Sequence, residues 1–368
     1  MEGDMSAAQA NYALKLLLEA SAPHATVILS PFSIASALAI AYLGADGNTK
    51  NELQNLLAKG CSDDQFHHYI SQNLEDIAKG GDKYTLTVAN HLFYNKDFEM
   101  KESYVNAVKA KYSGQLESID FSQANAAASK INNWVAEQTN SKITNLVNPA
   151  IIKPLMRLII LNAVYFKGEW ASRFQKELTA KKPFYSAEGQ EREVDTMQKV
   201  DNFDYYEDSD VQLLGIPYKG NEVIMYILLP VEKFGLAKLL ANTDGKKLLD
   251  YMTQTVKTKV QVKIPKFRLE KGFELSEVLA KMGIGEAFSS NANFTKMSDE
   301  SLYISNVIHK AFVEVNEEGT EAAAAAAIGV MMRAAPMPMR NPPKFIADHP
   351  FMFAIAKGDN LLFVGKFY

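Results

Sequence analysis

One stretch near the end of this 368-residue chain limits what it can fold into. Residues 317–343 begin with Glu317-Glu318-Gly319-Thr320-Glu321 and continue through six alanines, Ala322–Ala327. Ile328-Gly329-Val330-Met331-Met332-Arg333-Ala334-Ala335 follow, and Pro336, Pro338, Pro342 and Pro343 close the stretch. Prolines lack the backbone donor and forbid regular structure there. A connection this long, with no structure of its own, is uncommon inside a domain and is usually functional or disordered.

Composition alone reads the stretch as a low-complexity linker or a short alanine helix. Laid out as a strand it says more, because alternate side chains of a strand point to opposite faces. Thr320, Ala322, Ala324, Ala326, Ile328, Val330 and Met332 then form a face that is small or apolar throughout. Glu321, Ala323, Ala325, Ala327, Gly329, Met331 and Arg333 form the other, which holds every charge. The segment reads as a loop able to become a strand with one buried face. Its first half has no side chain bulky enough to block passage.

Elsewhere the chain is globular in pattern. Helical spacing runs through residues 8–20 (Tyr12, Leu16, Leu17, Ala20). Ser33 to Leu43 is small and apolar up to Gly44, which predicts a buried helix. Ala124 to Gln138 is alanine-rich, with Ile131, Trp134 and Val135 on one face. Strand signals gather later. Leu158 to Phe166 and Glu222 to Leu229 are continuous apolar runs, Lys257 to Ile264 alternates, and Tyr303 to Asn316 is β-branched. Pro350–Ile355 and Leu361–Phe367 close the chain around a turn at Lys357-Gly358-Asp359-Asn360. Helices early, strands late and no mid-chain linker predict an α+β fold in one domain over 1–368.

The balance of 39 basic and 43 acidic side chains, net −4, leaves no excess to hold a nucleic-acid backbone. A lone cysteine, Cys61, excludes an internal disulfide and a thiolate zinc site, and the six histidines contain no HExxH pair. No apolar run reaches the ~20 residues that span a bilayer. The acidic start and the single thiol favour a reducing, cytoplasmic setting. A secreted protein without its leader would read the same, and an Asn-x-Thr triplet at Asn293 points that way. There is no GxSxG elbow, Walker loop or GxGxxG, so an enzyme is not expected, nor a cofactor or metal.

Several motifs, in order along the whole length, resemble the serpin family. Glu317-Glu318-Gly319-Thr320-Glu321-Ala322-Ala323-Ala324-Ala325 is similar to the proximal hinge of inhibitory serpins, and Phe345-Ile346-Ala347-Asp348-His349-Pro350-Phe351-Met352-Phe353 to the C-terminal signature. Ser30-Pro31-Phe32-Ser33-Ile34, Asn162-Ala163-Val164-Tyr165-Phe166-Lys167-Gly168-Glu169-Trp170 and the Phe174…Thr179…Phe184 spacing match as well. The short, non-basic stretch around Cys61–Ile70 resembles intracellular serpins most.

The resemblance implies three β-sheets, about nine helices and an exposed reactive-centre loop at about 317–340. It implies a monomer that polymerises when destabilised, and a suicide substrate: a target protease forms an acyl-enzyme, and the loop then inserts into the main sheet and traps it. Loop insertion of serpins is itself a standard example of strand addition. In the family the residue attacked lies sixteen positions after the first hinge glutamate, which here gives Arg333–Ala334, flanked by Val330, Met331 and Met332. Arginine there suits a trypsin-like enzyme. A register one residue shorter exposes Met332 instead and favours a chymotrypsin-like or elastase-like target. By the same resemblance Ser30, Ser33, Asn162 and His309 match the shutter beneath the opening sheet, and Trp170 the aromatic at the breach; His309 also reads as a satisfied core histidine, and Trp170 as ordinary core. Two other readings stay open: a cross-class inhibitor of papain-like cysteine proteases, and a non-inhibitory serpin acting as a binding protein.

Overall fold

The computed structural model describes residues 2–79, 83–112, 115–320 and 341–368; the expected loop positions 321–340 lie outside them. Its helices are α1 (Glu2–Glu19), α2 (Pro31–Gly44), α3 (Gly47–Leu57), α4 (Asp63–Ala78), α5 (Glu102–Tyr112), α6 (Ala124–Gln138), α7 (Leu236–Ala241), α8 (Gly245–Thr253) and α9 (Ser276–Leu279). The early strands are β1 (Val27–Leu29), β2 (Tyr84–Asn95), β3 (Leu116–Ile119), β4 (Leu158–Glu169), β5 (Ala180–Ala187), β6 (Gln190–Glu207), β7 (Val211–Pro217) and β8 (Val223–Pro230). The later ones are β9 (Val256–Pro265), β10 (Phe267–Glu274), β11 (Ile304–Val315), β12 (Gly319–Thr320), β13 (Lys344–Ile346), β14 (Phe351–Lys357) and β15 (Asn360–Phe367).

Two sheet networks organise these strands. In the main sheet the order is β10-β11-β12-β4-β2-β3, with β11 and β4 also paired directly and parallel. The second network runs β1-β15-β14-β8-β7-β6-β9-β13, with β5 added to β6. Strand β6 is long enough to serve two leaves. Its start carries β5 and its middle β9, while its end pairs with β7 and leads on to β8, β14, β15 and β1. The three sheets implied by the resemblance are thus the main sheet and two leaves joined through β6.

The main sheet is covered on both faces, as its apolar central strand β4 requires. On one side lies α2, apolar all round and therefore buried all round. It is capped by the Ser30 side chain, which accepts from the Ser33 N–H, and it starts at Pro31. On the other side α6 lies over the sheet, where Ile131 and Val135 pack with core residues that include Leu161, Ala163 and Ile308. No helix among the described residues is long and apolar enough to cross a membrane.

Candidate functional site

The top of the main sheet holds a wedge. β11 ends at Val315, the chain turns through 316–318, and β12 comes back between β11 and β4, antiparallel to both. Val315 pairs with Thr320, while Gly319 pairs with Glu169 and Thr320 with Gly168. The turn is clamped by backbone bonds: the Asn316 N–H donates to Gly319 O at 2.9 Å, Trp170 N–H to Glu318 O at 2.8 Å and Phe174 N–H to Glu317 O at 2.9 Å. Gly319 sits at φ 143°, and a Cβ there would lie 2.2 Å from Gly168 O, so only glycine fits.

Side chains secure the same turn. Trp170, stacked on Tyr218 at 4.4 Å between ring centroids, donates its indole N–H to Asn316 O at 2.8 Å. The Glu317 side chain is buried, accepting from Thr179 Oγ1 at 2.8 Å and pairing with Lys266 at 3.0 Å. Burial alone would raise the Glu317 carboxyl, but its own backbone N–H, Thr179 and Lys266 outweigh that and hold it below the usual carboxylate range. Glu318 pairs with Lys176 at 2.7 Å.

Deeper in the sheet a polar cluster crosses the β11–β4 seam. His309, Asn162 and Asn90 stand in one row across β11, β4 and β2. The Ser30 N–H donates to His309 Nε2 at 3.2 Å, so the ring proton sits on Nδ1 and is donated to Asn162 Oδ1 at 2.5 Å. Burial holds the His309 ring down to about 3, so it is neutral. Asn162 Nδ2 donates to Ser33 O at 3.0 Å, and also to Ser33 Oγ and Asn90 Oδ1. Asn90 Nδ2 reaches Ser36 Oγ at 2.8 Å, and Ser30 Oγ donates to Leu362 O at 2.6 Å. Every polar group in this row is buried and bonded, which makes parting the seam cooperative.

The expected residues therefore fall into two groups. Ser30, Ser33, Asn162 and His309 come together, and Trp170, Glu317 and Gly319 come together at the turn. Glu321, Ala322, Ala323, Ala324, Ala325, Val330, Met331, Met332, Arg333 and Ala334 lie outside the described residues. Asn90, Ser36 and Lys266 belong to the site without having been marked by any motif. A signal exists for Asn90, an amide inside the strand-like run from Leu86 to Tyr94, but only sheet register sets it beside Asn162.

Comparison with known proteins agrees with this geometry. Residues 7–368 match the family model described as "Serpin (serine protease inhibitor)". Serpin B6 of Pongo abelii is 37% identical over 374 residues, covering 99% of this chain and 98% of that protein. The leukocyte elastase inhibitor of Sus scrofa is 39% identical over 376 residues, 98% of each chain. Among solved structures, Serpin48, described as a highly specific serpin of the insect Tenebrio molitor, superposes with a TM-score of 0.86 at 33% identity, covering 99% of this chain and 96% of that one. A strand wedged at the head of a sealed sheet seam, followed in sequence by a run of small residues, is set on a chain similar from end to end to these proteins, and the chain belongs to the serpin family.

Proposed function

We propose that this serpin is a suicide-substrate inhibitor whose loop, once cut at Arg333–Ala334, inserts along the β11–β4 seam. The observation that carries this reading is the register of β12. Continued without slip, it brings Ala322 between Val313 and Phe166, Ala324 between Ala311 and Val164, Ala326 between His309 and Asn162, and Ile328 between Val307 and Ile160. All eight flanking residues are buried, each 0% exposed. The loop face that is apolar in sequence is thus in phase with the core face of the strands that would receive it. The seam runs out at Leu158, opposite Val330, just short of Met332 and Arg333.

Insertion replaces one parallel pairing by two antiparallel ladders. About a dozen added ladder bonds at ~1 kcal/mol each give on the order of 10 kcal/mol. The barrier lies in parting the seam, where Ala326 has to break the bond from His309 to Asn162. In this reading Glu317 to Ala325 form the hinge, Trp170 guards its entry, and Ser30, Ser33, Asn162 and His309 form the shutter. Alanines on the inserting face argue against a purely binding serpin.

Arg333 favours a trypsin-like serine protease as partner. A second reading, cleavage after Met332, is favoured by the relative named leukocyte elastase inhibitor, and a papain-like cysteine protease would accept the same pair of residues. An intracellular site of action fits the single cysteine. Incubation with trypsin, elastase, chymotrypsin and papain separates these. The expected result is a complex with trypsin that survives SDS, plus a 35-residue peptide starting at Ala334. A peptide starting at Arg333 moves the bond to Met332. Arg333→Ala should abolish trypsin inhibition without changing the fold.

A further inference from the structure

Register also lays out a solvent-facing surface on β6, β9 and β13. Its rows are Asn202 with Lys259, Val200 with Gln261 and Lys344, and Gln198 with Lys263 and Ile346. Directly paired residues share a face of a sheet. Val260, Val262 and Ile264 point the other way, into the core. Lys259 and Lys344 are exposed, Lys263 is half-buried, and Val200 is 51% exposed at the centre. In the next row of this face Asp204 is already paired with Lys257 at 3.0 Å, and Asp348, which shares a cavity with Lys263, is hydrogen-bonded to His349 at 2.8 Å. Among the described residues no carboxylate pairs with Lys259, Lys263 or Lys344. A protein with more acidic than basic side chains thus presents here three unneutralised ammonium groups around an exposed valine. An apolar centre with a charged rim is the anatomy of a protein interface.

Position says what that interface meets. β13 is the strand into which the reactive loop returns, and Lys344 follows Arg333 by eleven residues, at most about 40 Å of extended chain. An enzyme body larger than that tether cannot hold Arg333 in its cleft without lying close to this end of the sheet. We infer that the lysine face is a second contact for the target protease, selecting enzymes that carry an acidic patch beside the active-site cleft. The inference rests on the inhibitor reading above. Opposite charge at this range raises the encounter rate rather than the durability of the trapped complex, and salt screens it.

The test uses two trypsins with the same preference for arginine and opposite net charge. The full chain and its Lys259→Glu/Lys263→Glu/Lys344→Glu variant are mixed with anionic and with cationic trypsin at low and high salt. Charge reversal should slow association with anionic trypsin by about tenfold or more at low salt, with little loss at high salt. Cationic trypsin should associate no more slowly than with wild type, and the stoichiometry of inhibition should not change. The corresponding triple Lys→Gln variant should fall in between, and equal heat-unfolding midpoints exclude a folding defect. Equal slowing with both trypsins, or no slowing with the anionic one, overturns the proposal. So does wild type retained on heparin-agarose through these lysines with no difference between the trypsins, which assigns the face to a free polyanion. The rate of loop cleavage reads docking even if no complex is trapped, so a failure to trap counts against the inhibitor reading alone.

Discussion

His309 is held as a neutral ring by burial, which keeps it down to about 3, and burial likewise holds His67 and His91 to about 4. The unfolded chain takes up these protons near pH 6.5. Between those values the unfolded state binds more protons, so this contribution to stability is complete above about pH 6.5 and is lost as pH falls. The urea midpoint should therefore drop between pH 7.5 and pH 5. His309→Gln should start lower at pH 7.5 and show a shallower pH dependence; an unchanged slope would mean the ring is not desolvated. Asn162→Ala removes the acceptor of His309 and the donor to Ser33 and Asn90, leaving buried groups unpaired at ~1–3 kcal/mol each. The seam should then part more readily and admit a neighbour's loop as an added strand. Polymers on a native gel after mild heating, at temperatures that leave wild type monomeric, are the expected result. Asn90→Ala should do the same to a lesser degree, since Asn90 holds only Asn162 and Ser36.

Among the elements, β12 is the one on which the proposed mechanism turns between inhibitor and substrate. In that mechanism insertion races hydrolysis of the acyl-enzyme, and Thr320, in register with Val315 and Gly168, would be the first residue of the inserting face. Thr320→Arg would bring an unpaired charge into the sheet at a cost that can reach several kcal/mol. Each 1.4 kcal/mol on the barrier slows insertion about tenfold, so hydrolysis should win. The variant should be cut at Arg333 as fast as wild type yet release active protease, and full inhibition by it would exclude insertion from this end. Elements differ in how openly sequence announces them. α6 occupies the very residues, Ala124–Gln138, whose apolar spacing predicts it, and β9 buries Val260, Val262 and Ile264 as its alternation requires. Nothing comparable marks β5 or β6, which are mostly exposed or half-buried and whose residues follow no single alternation because two leaves share them. β12 is two residues long and exists only because Gly319 can pass Gly168 O.

For the whole molecule, the proposed mechanism makes the native state a kinetic trap, because a lower state is reached by adding one strand to the main sheet. Cleavage of the loop by a protease that escapes trapping should leave a protein with the full inserted strand. On the order of 10 kcal/mol of added ladder bonds should then raise the heat-unfolding midpoint well above that of the uncleaved protein. Equal midpoints by calorimetry would deny that the seam accepts the loop. The tail after Arg333 should stay bound until denaturation, since β14 and β15 are buried along nearly their whole length. Local sequence was enough to determine the helices α1, α2 and α6 and the strands β4, β8, β9, β11, β14 and β15, that the chain is α+β, and that residues 320–332 can present one apolar face. Those properties follow from spacing and side-chain chemistry within a few residues of each other. Only the tertiary structure decided that Asn90, Asn162 and His309 share one row, that Thr179 and Lys266 meet Glu317, and that Lys344 joins Lys259 and Lys263 on one face. Those partners are tens to hundreds of residues apart, and sheet register, fixed by packing on both faces of the sheet, is what brings them within reach.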